Sequence, residues 1–294
     1  MVDTIVLSNE EMAKFHSNHK QKVLIIGYGK AGKRHAKIAK ELGLEVWVFD
    51  PAYSAMQISL DGYGPILDAT LFNDLFVDGF PDYAVIATPL GSHLDYLDEL
   101  LESKVKILFE KPLCDLEWSD NIITGSEYVS QLLVEYGKES CMIAYNWRYH
   151  PLINQLKSSH LPNHKYRFEF SKHRSSIPEW GLLLDHLSHD LDMARYITGQ
   201  EFEVIEAQHF KTQYLESWKV NLSDKFFIVD TVYAYSSPRV DLISRYVDDV
   251  LESTYPLEPD ESMFYSMWQR FLSGDYMPDL AEGIKTQELI EQVN

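Results

Sequence analysis

The sequence predicts an α/β fold in two parts: a parallel sheet with crossover helices, followed by an α+β domain with a mostly antiparallel open sheet. Two patterns carry this prediction. Up to about residue 147, short apolar segments alternate with longer segments of helical spacing, and after residue 201 strand-like segments follow one another directly. Strands joined through helices favour a parallel sheet, whereas strands in succession favour an antiparallel sheet.

The strands of the first part are apolar almost throughout, as expected where both faces of a sheet are covered. They are predicted at residues 23–26, 46–49, 83–87 and 105–109, with a further strand at 141–144. Crossover helices are predicted at residues 30–42, 93–102 and 115–136. Residues 52–68 contain turn-forming glycine and proline and predict no regular element.

The second part mixes helices and strands. Its strands are predicted at residues 165–170, 202–210, 225–235 and 240–247, and its helices just after Pro151 and at residues 182–197, 264–272 and 281–293. We expect the last two helices to pack back on the first part. The predicted organisation is an N-terminal extension over residues 1–21, a first domain over 22–147 and a second domain over 148–294.

Charge and composition exclude several classes of function. The 294 residues include 26 Lys and Arg against 45 Asp and Glu, a formal net charge of −19, which argues against binding to nucleic acid or to an anionic membrane. Cys114 and Cys141 provide neither a disulfide framework nor a metal site. No apolar segment approaches the roughly 18 residues that cross a bilayer, and no signal peptide is evident. We expect a cytoplasmic protein that acts on a small molecule and holds no metal.

A glycine-rich motif follows the first predicted strand and opens the first predicted helix. It reads Gly27-Tyr28-Gly29-Lys30-Ala31-Gly32. In this context the glycines permit a tight turn and the close approach of a pyrophosphate, and the helix N-terminus offers unpaired N–H groups to that anion. The motif predicts that the first domain is a Rossmann dinucleotide-binding domain.

Asp50 ends the second predicted strand about 20 residues after the motif, where a carboxylate accepts both ribose hydroxyls of an adenosine. The residues that follow it, Pro51-Ala52-Tyr53-Ser54, include no Arg or Lys. A 2′-phosphate would therefore meet a carboxylate without a compensating cation. NAD is predicted as the cofactor in preference to NADP.

Further motifs lie at the carboxyl ends of later predicted strands, where open α/β sheets bind their ligands. They are Thr88-Pro89 leading to His93, and Glu110-Lys111-Pro112. Other motifs accompany them: His35 after the glycines, the junction Asn146-Trp147-Arg148-Tyr149-His150-Pro151, the helix with Asp185, His189 and Asp192, and the ending over residues 271–274 and 281–284. In this order the motifs resemble the glucose-fructose oxidoreductase / inositol dehydrogenase / MocA (Gfo/Idh/MocA) family.

The resemblance implies an NAD-dependent oxidoreductase that moves a hydride between nicotinamide and a CH–OH group of a sugar, cyclitol or sugar derivative. It implies that His189 is the acid–base residue, that Lys111 holds the reacting oxygen and the nicotinamide ribose, and that Asp185 is the orienting residue. Thr88, Pro89, His93, Glu110 and Lys111 would complete the cofactor site. Alcohol oxidation needs such a set, because a base, an orienting group and a cation must meet the developing alkoxide.

Several of these assignments have competing interpretations. Asp185 and His189 are four residues apart and would share one face of an α-helix. His186 adjoins Asp185 and competes with His189, but it points about 100° away around the helix, so His189 is favoured. Asp192 is interpreted as a structural partner of His189. His93 either caps the nicotinamide side of the pocket or is only a residue at a helix N-terminus.

Four residues are candidate substrate contacts: Asn146, Arg148, Lys172 and Arg174. The first two lie at the predicted domain junction, where a hinge role is the alternative. The last two flank His173 in a basic cluster, for which a solvated strand end is the default and a site for a substrate carboxylate or phosphate is the alternative. The approach to the catalytic helix, Glu179-Trp180-Gly181, and Leu187 within it depart from the family pattern, so the substrate is left open.

Two further functions remain open at this point. The same fold serves NAD-binding, sugar-responsive regulatory proteins in which catalytic groups are dispensable, and a reductase of a non-sugar substrate is a third interpretation. Residues 226–235 place apolar side chains on both faces of one predicted strand. A large exposed apolar face is rare on a soluble monomer, so we expect a homodimer or homotetramer through the second-domain sheet, as the family resemblance also implies.

Overall fold

The computed structural model of the protein describes residues 20–52, 81–115, 123–136, 140–173, 182–223, 226–233 and 240–294. The chain divides into two compact units. The first unit comprises Met1–Thr88 with Ser103–Ile107, and the second comprises Pro89–Glu102 with Leu108–Asn294. The predicted boundary near residue 147 stays a prediction. Within the described ranges, no helix combines the length and the apolar character needed to span a membrane.

A five-stranded sheet contains the predicted strands of the first part. Its strands are β1 (Lys22–Ile26), β2 (Glu45–Phe49), β3 (Tyr83–Ile86), β4 (Lys106–Phe109) and β5 (Cys141–Ile143), in the order β2-β1-β3-β4-β5. β1 pairs in parallel with both β2 and β3. Because β1 lies between β2 and β3, the strand order reverses at its end, and this is the point where ligands bind in open α/β sheets.

Helix α1 (Lys30–Glu41) follows β1 directly. It buries His35, Ala36, Ile38 and Ala39, a spacing that places them on one face of the helix, while its charged side chains face away from this core. The helix ends before Gly43, whose φ of +89° requires a left-handed conformation that glycine adopts without strain. His35 is buried with this apolar face, so it packs inside the first unit.

The two remaining predicted crossover helices are shorter than expected. The segment predicted as a helix from residue 93 begins with two 3-10 turns, Leu90–Ser92 and Leu94–Tyr96, and only Leu97–Glu102 forms the α-helix, α2. Helix α3 spans Gly125–Tyr136, and residues 116–122 of the predicted helix lie outside the described chain. The prediction of a helix starting at residue 93 is therefore wrong, since short turns replace the first α-helical turn.

A six-stranded sheet dominates the second unit. Its strands are β6 (His164–His173), β7 (Val204–Lys211), β8 (Leu215–Leu222), β9 (Phe226–Tyr233), β10 (Val240–Val247) and β11 (Val250–Pro256), in the order β11-β10-β6-β9-β8-β7. Every neighbouring pair is antiparallel except β6 with β9, which is parallel. The mostly antiparallel sheet and the α/β class are therefore as predicted.

Two strands of this sheet were not predicted. In β8 the buried residues alternate with more exposed ones, a period-two pattern that is less conspicuous than an apolar run because polar Glu216 is among the buried residues. β11 pairs with β10 across a two-residue turn at Asp248 and Asp249, both of which have positive φ. Two successive residues of this kind form the tight turns that join hairpin strands, so this pair is the signal that locates β11.

The helices of the second unit and its six-stranded sheet contribute side chains to one hydrophobic core. The helices are α4 (Pro151–Ser158), a π-helical turn (Leu183–Leu187) that leads into α5 (Ser188–Thr198), α6 (Ser262–Leu272) and α7 (Leu280–Val293). α7 contacts α3, where Ser126 Oγ donates a hydrogen bond of 2.6 Å to Glu291. Aromatic side chains fill the sheet side of the core, with Phe226 stacked on Tyr166 at 5.1 Å between ring centroids.

Candidate functional site

The glycine-rich loop of the first unit leaves no room for side chains at two positions. A Cβ atom at Gly27 would lie 2.5 Å from the carbonyl oxygen of Ala87, and the φ of Gly27 is +90°. A Cβ atom at Gly32 would overlap the carbonyl oxygen of Gly27. By contrast, a Cβ atom at Gly29 would meet nothing within 4 Å. Gly27 and Gly32 therefore close the backbone turn, and Gly29 faces open space.

This open space lies at the N-terminus of α1. Gly29 is the N-cap residue of the helix, and none of the described side chains caps it; the first turn includes Lys30 and Ala31. The unsatisfied N–H groups of such a turn, and the positive end of the helix dipole, suit a diphosphate. The arrangement fits a dinucleotide. Because Gly29 has no side chain, a phosphate can approach the backbone in the space that the side chain of a larger residue would fill.

Asp50 is tied to the glycine-rich loop through the backbone. Its Oδ2 accepts a hydrogen bond of 2.5 Å from the N–H of Tyr28, and its Oδ1 accepts one of 2.8 Å from the N–H of Ala52. These contacts hold the carboxylate in place beside the loop. Each carboxylate oxygen offers two lone pairs, so both oxygens keep capacity for the hydroxyls of a ribose.

The loop after β4 is held by a histidine of the second unit. His93 is buried, its Nδ1 lies 3.0 Å from the carbonyl oxygen of Pro112, and its ring packs edge-on against Phe109. Glu110 accepts a hydrogen bond from the backbone N–H of Lys111. His93 therefore positions the Glu110-Lys111-Pro112 loop. Among the predicted cofactor contacts near the end of β3, Thr88 is partly buried and Pro89 is exposed.

Lys111 joins this loop to the helix predicted to carry the acid–base residue. Its Nζ donates a hydrogen bond of 2.7 Å to the backbone carbonyl oxygen of Asp185, a residue 74 positions away along the chain. An ammonium group has three N–H donors, and this bond uses one of them. The contact to Lys111 thus uses the backbone of Asp185, and the predicted orienting role of its carboxylate stays a prediction.

The start of this helix differs from the prediction. A continuous α-helix was expected over residues 182–197, but Leu183–Leu187 is a π-helical turn and α5 begins at Ser188. A π-helical turn has wider i→i+5 hydrogen bonding, so the α-helical spacing that the prediction assumed does not apply here, and a shared face for Asp185 and His189 stays a prediction. Such turns are frequent at functional sites because they re-aim side chains without ending the helix.

His189 is the second residue of α5. Its side chain is partly exposed, but its Nδ1 is inaccessible to solvent and has no hydrogen-bond partner among the described residues. Burial, followed by the positive charges of Lys111 and His186, holds the pKa of His189 well below its ordinary value. The imidazole is therefore neutral at pH 7 and can accept a proton.

His186, the competing histidine, is engaged in packing. Its ring stacks on Phe170 with centroids 3.3 Å apart and planes 17° apart. Its Nδ1 lies 3.6 Å from a carboxylate oxygen of Asp190, one helical turn further on. These contacts distinguish His186 from His189, and they support the choice of His189 as the acid–base candidate.

Arg148 is committed to a buried ion pair. Its Nη2 lies 2.6 Å from Asp192 Oδ1, its Nε lies 2.9 Å from Asp192 Oδ2, and Nη2 also reaches Glu282 at 3.1 Å. Arg148 and Asp192 are buried almost completely. Asn146 is also buried and donates to the sulfur of Met263. Their predicted substrate contacts stay predictions, and the structure shows interior contacts for both.

The sequence analysis missed the partners that α7 supplies to this network. Glu282 bonds Arg148, and Arg195 donates to Thr286 Oγ1 at 3.0 Å and to the carbonyl oxygen of Glu282. Glu282 and Thr286 are four residues apart on a helix whose other buried positions are mostly apolar. A polar pair within such a face is the signal that indicates buried partners elsewhere in the chain.

Some predictions fall on parts of the chain that the structure does not describe. Arg174 and Glu179-Trp180-Gly181 lie outside the described residues, and so do residues 53–80 and 1–19. Lys172 lies in β6, although its side chain is not described. In the strand predicted to be apolar on both faces, Phe226 and Ile228 are buried, and the other side chains are outside the described set.

Comparison with known proteins shows that the first part of the chain is similar to a known family. Residues 21–124 match the family described as "Oxidoreductase family, NAD-binding Rossmann fold". The chain is 25% identical over 218 residues to scyllo-inositol 2-dehydrogenase (NAD(+)) of Bacillus subtilis, which covers 62% of this chain and 55% of that protein. It is 26% identical over 189 residues to rhizopine catabolism protein MocA of Rhizobium meliloti, covering 60% and 57%. The chain thus spans about half the length of the curated relatives it matches.

Solved structures share the fold over nearly the whole chain. A myo-inositol dehydrogenase from Corynebacterium glutamicum matches with a TM-score of 0.72 and 16% identity, covering 94% of this chain and 96% of that one. The WlbA dehydrogenase of Thermus thermophilus, in complex with NAD and alpha-ketoglutarate, matches with a TM-score of 0.71 and 16% identity, covering 93% and 94%. These structures confirm the fold class, and the family match confirms the predicted Rossmann domain and NAD as its cofactor.

Proposed function

We propose that the chain is an NAD-dependent dehydrogenase of a sugar, a cyclitol or a sugar derivative, and that it belongs to the Gfo/Idh/MocA oxidoreductase family, whose model matches residues 21–124. The reaction would interconvert a secondary alcohol and a ketone. The observation that carries the proposal is the neutral imidazole of His189, whose Nδ1 has no partner among the described residues, on the helix that Lys111 contacts.

The residues of the second unit supply the proton chemistry of this reaction. In the oxidation direction the hydroxyl proton of the substrate passes to the neutral imidazole of His189, as the carbon–oxygen double bond forms. A bound NAD would supply the acceptor for the hydride that leaves the same carbon. Lys111 donates one N–H to the carbonyl oxygen of Asp185, and the positive charge of its ammonium group stabilises the developing negative charge on the reacting oxygen.

The residues of the first unit hold the cofactor. Gly29 and the first turn of α1 receive the pyrophosphate, and Asp50 accepts hydrogen bonds from the ribose of the adenosine. In the second unit, His93 fixes the loop that carries Glu110 and Lys111.

We further propose that the protein is a homodimer or homotetramer through the six-stranded sheet. Large apolar side chains are exposed on β7, the edge strand, and on β11 at the opposite edge: Ile205, Phe210, Val250 and Leu251. A second copy would cover part of this surface. Light scattering at micromolar concentration should give a species heavier than the 34.1 kDa chain, and a single species at that mass would contradict the proposal.

A substrate screen tests the proposed activity. The purified protein, with NAD, is offered a panel of cyclitols, aldoses, amino sugars and sugar acids, and the appearance of NADH is followed by absorbance. We expect turnover with at least one member of the panel, and its loss in His189→Ala. NAD binding without turnover of any polyol, sugar or nucleotide sugar would favour a sugar-responsive regulator, and turnover of a non-sugar alone would favour the third interpretation.

A further inference from the structure

A cavity of about 440 Å³ lies within the second unit, between α4, α5, α6 and α7. Its walls include Arg148, Tyr149, Lys157, Tyr196 and Arg270. Neither Lys111 nor Asp185 nor His189 lines it. A volume of this size accommodates a small metabolite, since ligand pockets range from roughly 300 to 1,000 Å³. The cavity is therefore separate from the groups to which the proposed reaction is assigned.

The cavity is rich in cations, although the chain as a whole is strongly acidic. Five cationic side chains line it, against two carboxylates: Arg148, Lys157, Arg195, Arg270 and Lys285 against Glu201 and Glu282. The net charge of its walls is therefore positive, whereas that of the chain is −19. Such a local excess attracts anions to one place on a surface that repels them elsewhere.

Four of these cations have carboxylate partners. Arg195 pairs with Glu201 and Glu282, and Lys285 pairs with the same two residues. Arg148 pairs with Asp192 and Glu282. At the other end of the cavity, Arg270 pairs with Asp275 at 2.5 Å and remains half exposed. The carboxylates thus largely balance the positive charges of these four side chains, most completely at the end of the cavity formed by α7.

Lys157 is the exception. Among the described residues it has no carboxylate within ion-pair distance, and its ammonium lies 3.6 Å from the centroid of the Tyr196 ring. Partial burial and the nearby charge of Arg148 lower the pKa of Lys157, with a smaller contribution from Arg270, and together they outweigh the opposing effect of the Glu282 carboxylate. Lys157 and Arg270 therefore make the α4–α6 end of the cavity the place where an added negative charge is stabilised.

We propose that this cavity binds a small organic anion through a carboxylate or phosphate group held by Lys157 and Arg270. The rings of Tyr149 and Tyr196 form the adjoining wall. The hydroxyls of both tyrosines are already engaged, since Tyr149 donates to the carbonyl oxygen of Met277 and Tyr196 donates to Asn154. The rings therefore contribute apolar contact, and the two cations contribute the recognition of charge. This site does not depend on the proposed dehydrogenase activity.

The network behind the cavity wall gives the site a connection to α5. Arg148 lines the cavity and bonds Asp192, which lies three residues after His189 on the same helix. An anion bound at the Lys157 end would therefore lie in the same cavity as the Arg148 guanidinium, which contacts α5 through Asp192.

The test is calorimetric titration of the full chain with citrate and, separately, with inorganic phosphate, at constant ionic strength. Wild-type protein should bind at least one of them at one site per chain, and the anion that binds more tightly identifies the group. Lys157→Gln should weaken binding by about 10-fold or more, the loss expected for one charge-assisted hydrogen bond. Arg270→Gln should weaken it similarly.

The matched control is Lys165→Gln. Lys165 is a lysine of the same unit whose ammonium pairs with Asp249 on the surface, so its replacement removes the same charge outside the cavity. The affinity of the Lys165→Gln variant for the anion should equal that of the wild type. Lys157→Gln loses no ion pair among the described residues, so circular dichroism should show it folded. Absence of binding by the wild type, or equal weakening in Lys165→Gln and Lys157→Gln, would overturn the proposal.

Discussion

The glycine-rich loop of the first unit and the acid–base region of the second unit are built in different ways. The loop depends on backbone geometry within six consecutive residues, where Gly27 and Gly32 have no room for a Cβ atom. The acid–base region depends on single side chains brought together over long separations, as in the bond from Lys111 to Asp185. Substitutions in the loop should therefore act through steric overlap and backbone strain. Substitutions in the acid–base region should act through the loss of one chemical group.

The largest effect is expected from His189→Ala. The loss of a general acid–base group should lower turnover by about 10²- to 10⁴-fold while NAD affinity stays nearly unchanged. His186→Ala is the matched control, because that ring is stacked on Phe170 and should affect stability more than turnover. Steady-state kinetics and NAD titration of both variants decide the question. A crippled His186→Ala beside an active His189→Ala would reverse the assignment.

The buried ion pair of the second unit should show the next largest effect. Asp192→Asn leaves the buried guanidinium of Arg148 without its main counter-charge, and we expect a loss of about 3–5 kcal/mol in the free energy of unfolding. Asp249→Asn, which removes the exposed partner of Lys165, should cost about 0–1 kcal/mol. Urea unfolding of both variants measures the difference, and equal costs would show that the Arg148 pair adds nothing through its burial.

In the first unit, Asp50→Ala should weaken NAD binding by roughly 10- to 150-fold, because it removes charge-assisted hydrogen bonds worth about 1.5–3 kcal/mol. The affinity for NADP should fall less, or rise, since the carboxylate that opposes a 2′-phosphate is gone. Titration with both cofactors distinguishes the two results. Equal losses for NAD and NADP would contradict the ribose contact.

Substitutions at two glycines of the same loop should distinguish an effect on folding from an effect on cofactor binding. Gly29→Ala places a methyl group in open space, so stability should be preserved while NAD affinity falls by about 10-fold through crowding of the pyrophosphate. Gly27→Ala meets the carbonyl of Ala87 at positive φ, so this variant should lose stability even without NAD. Thermal unfolding with and without NAD tests both. A stable Gly27→Ala would refute the argument from close approach.

The smallest effect is the pH dependence that His189 contributes to stability. Its pKa is lower in the folded protein than the ordinary 6.5, so below pH 6.5 the unfolded state binds more protons than the folded state. This contribution is fully present above pH 6.5 and is lost as the pH falls, at most by about 1.4 kcal/mol per pH unit. Urea unfolding between pH 7.5 and 5 (roughly the window of one titrating histidine) should show a shallower pH slope for His189→Gln; an unchanged slope would contradict the lowered pKa.

The accuracy of the sequence-based predictions follows the same division between local and long-range structure. β1, α1 and the glycine-rich loop were predicted well, because apolar runs and glycine positions act within a few residues. β8 was missed because one of its buried positions is Glu216, and β11 because its signal is the turn at Asp248 and Asp249. The first turn of the helix after residue 182 was predicted as α-helical, since periodicity does not distinguish an α-helical turn from a π-helical one.

The sequence alone determined the α/β class and the Rossmann domain, because short motifs and apolar periodicity encode backbone conformation locally. The candidate roles of Lys111, Asp185 and His189 came from the resemblance of the sequence motifs to a known family. The tertiary structure alone decided that Lys111 bonds the carbonyl oxygen of Asp185, that His186 is engaged by Phe170, and that Arg148 is held by partners 44 and 134 residues away. Hydrogen bonds and ion pairs act over a few ångströms, so their partners are set by how distant segments pack together.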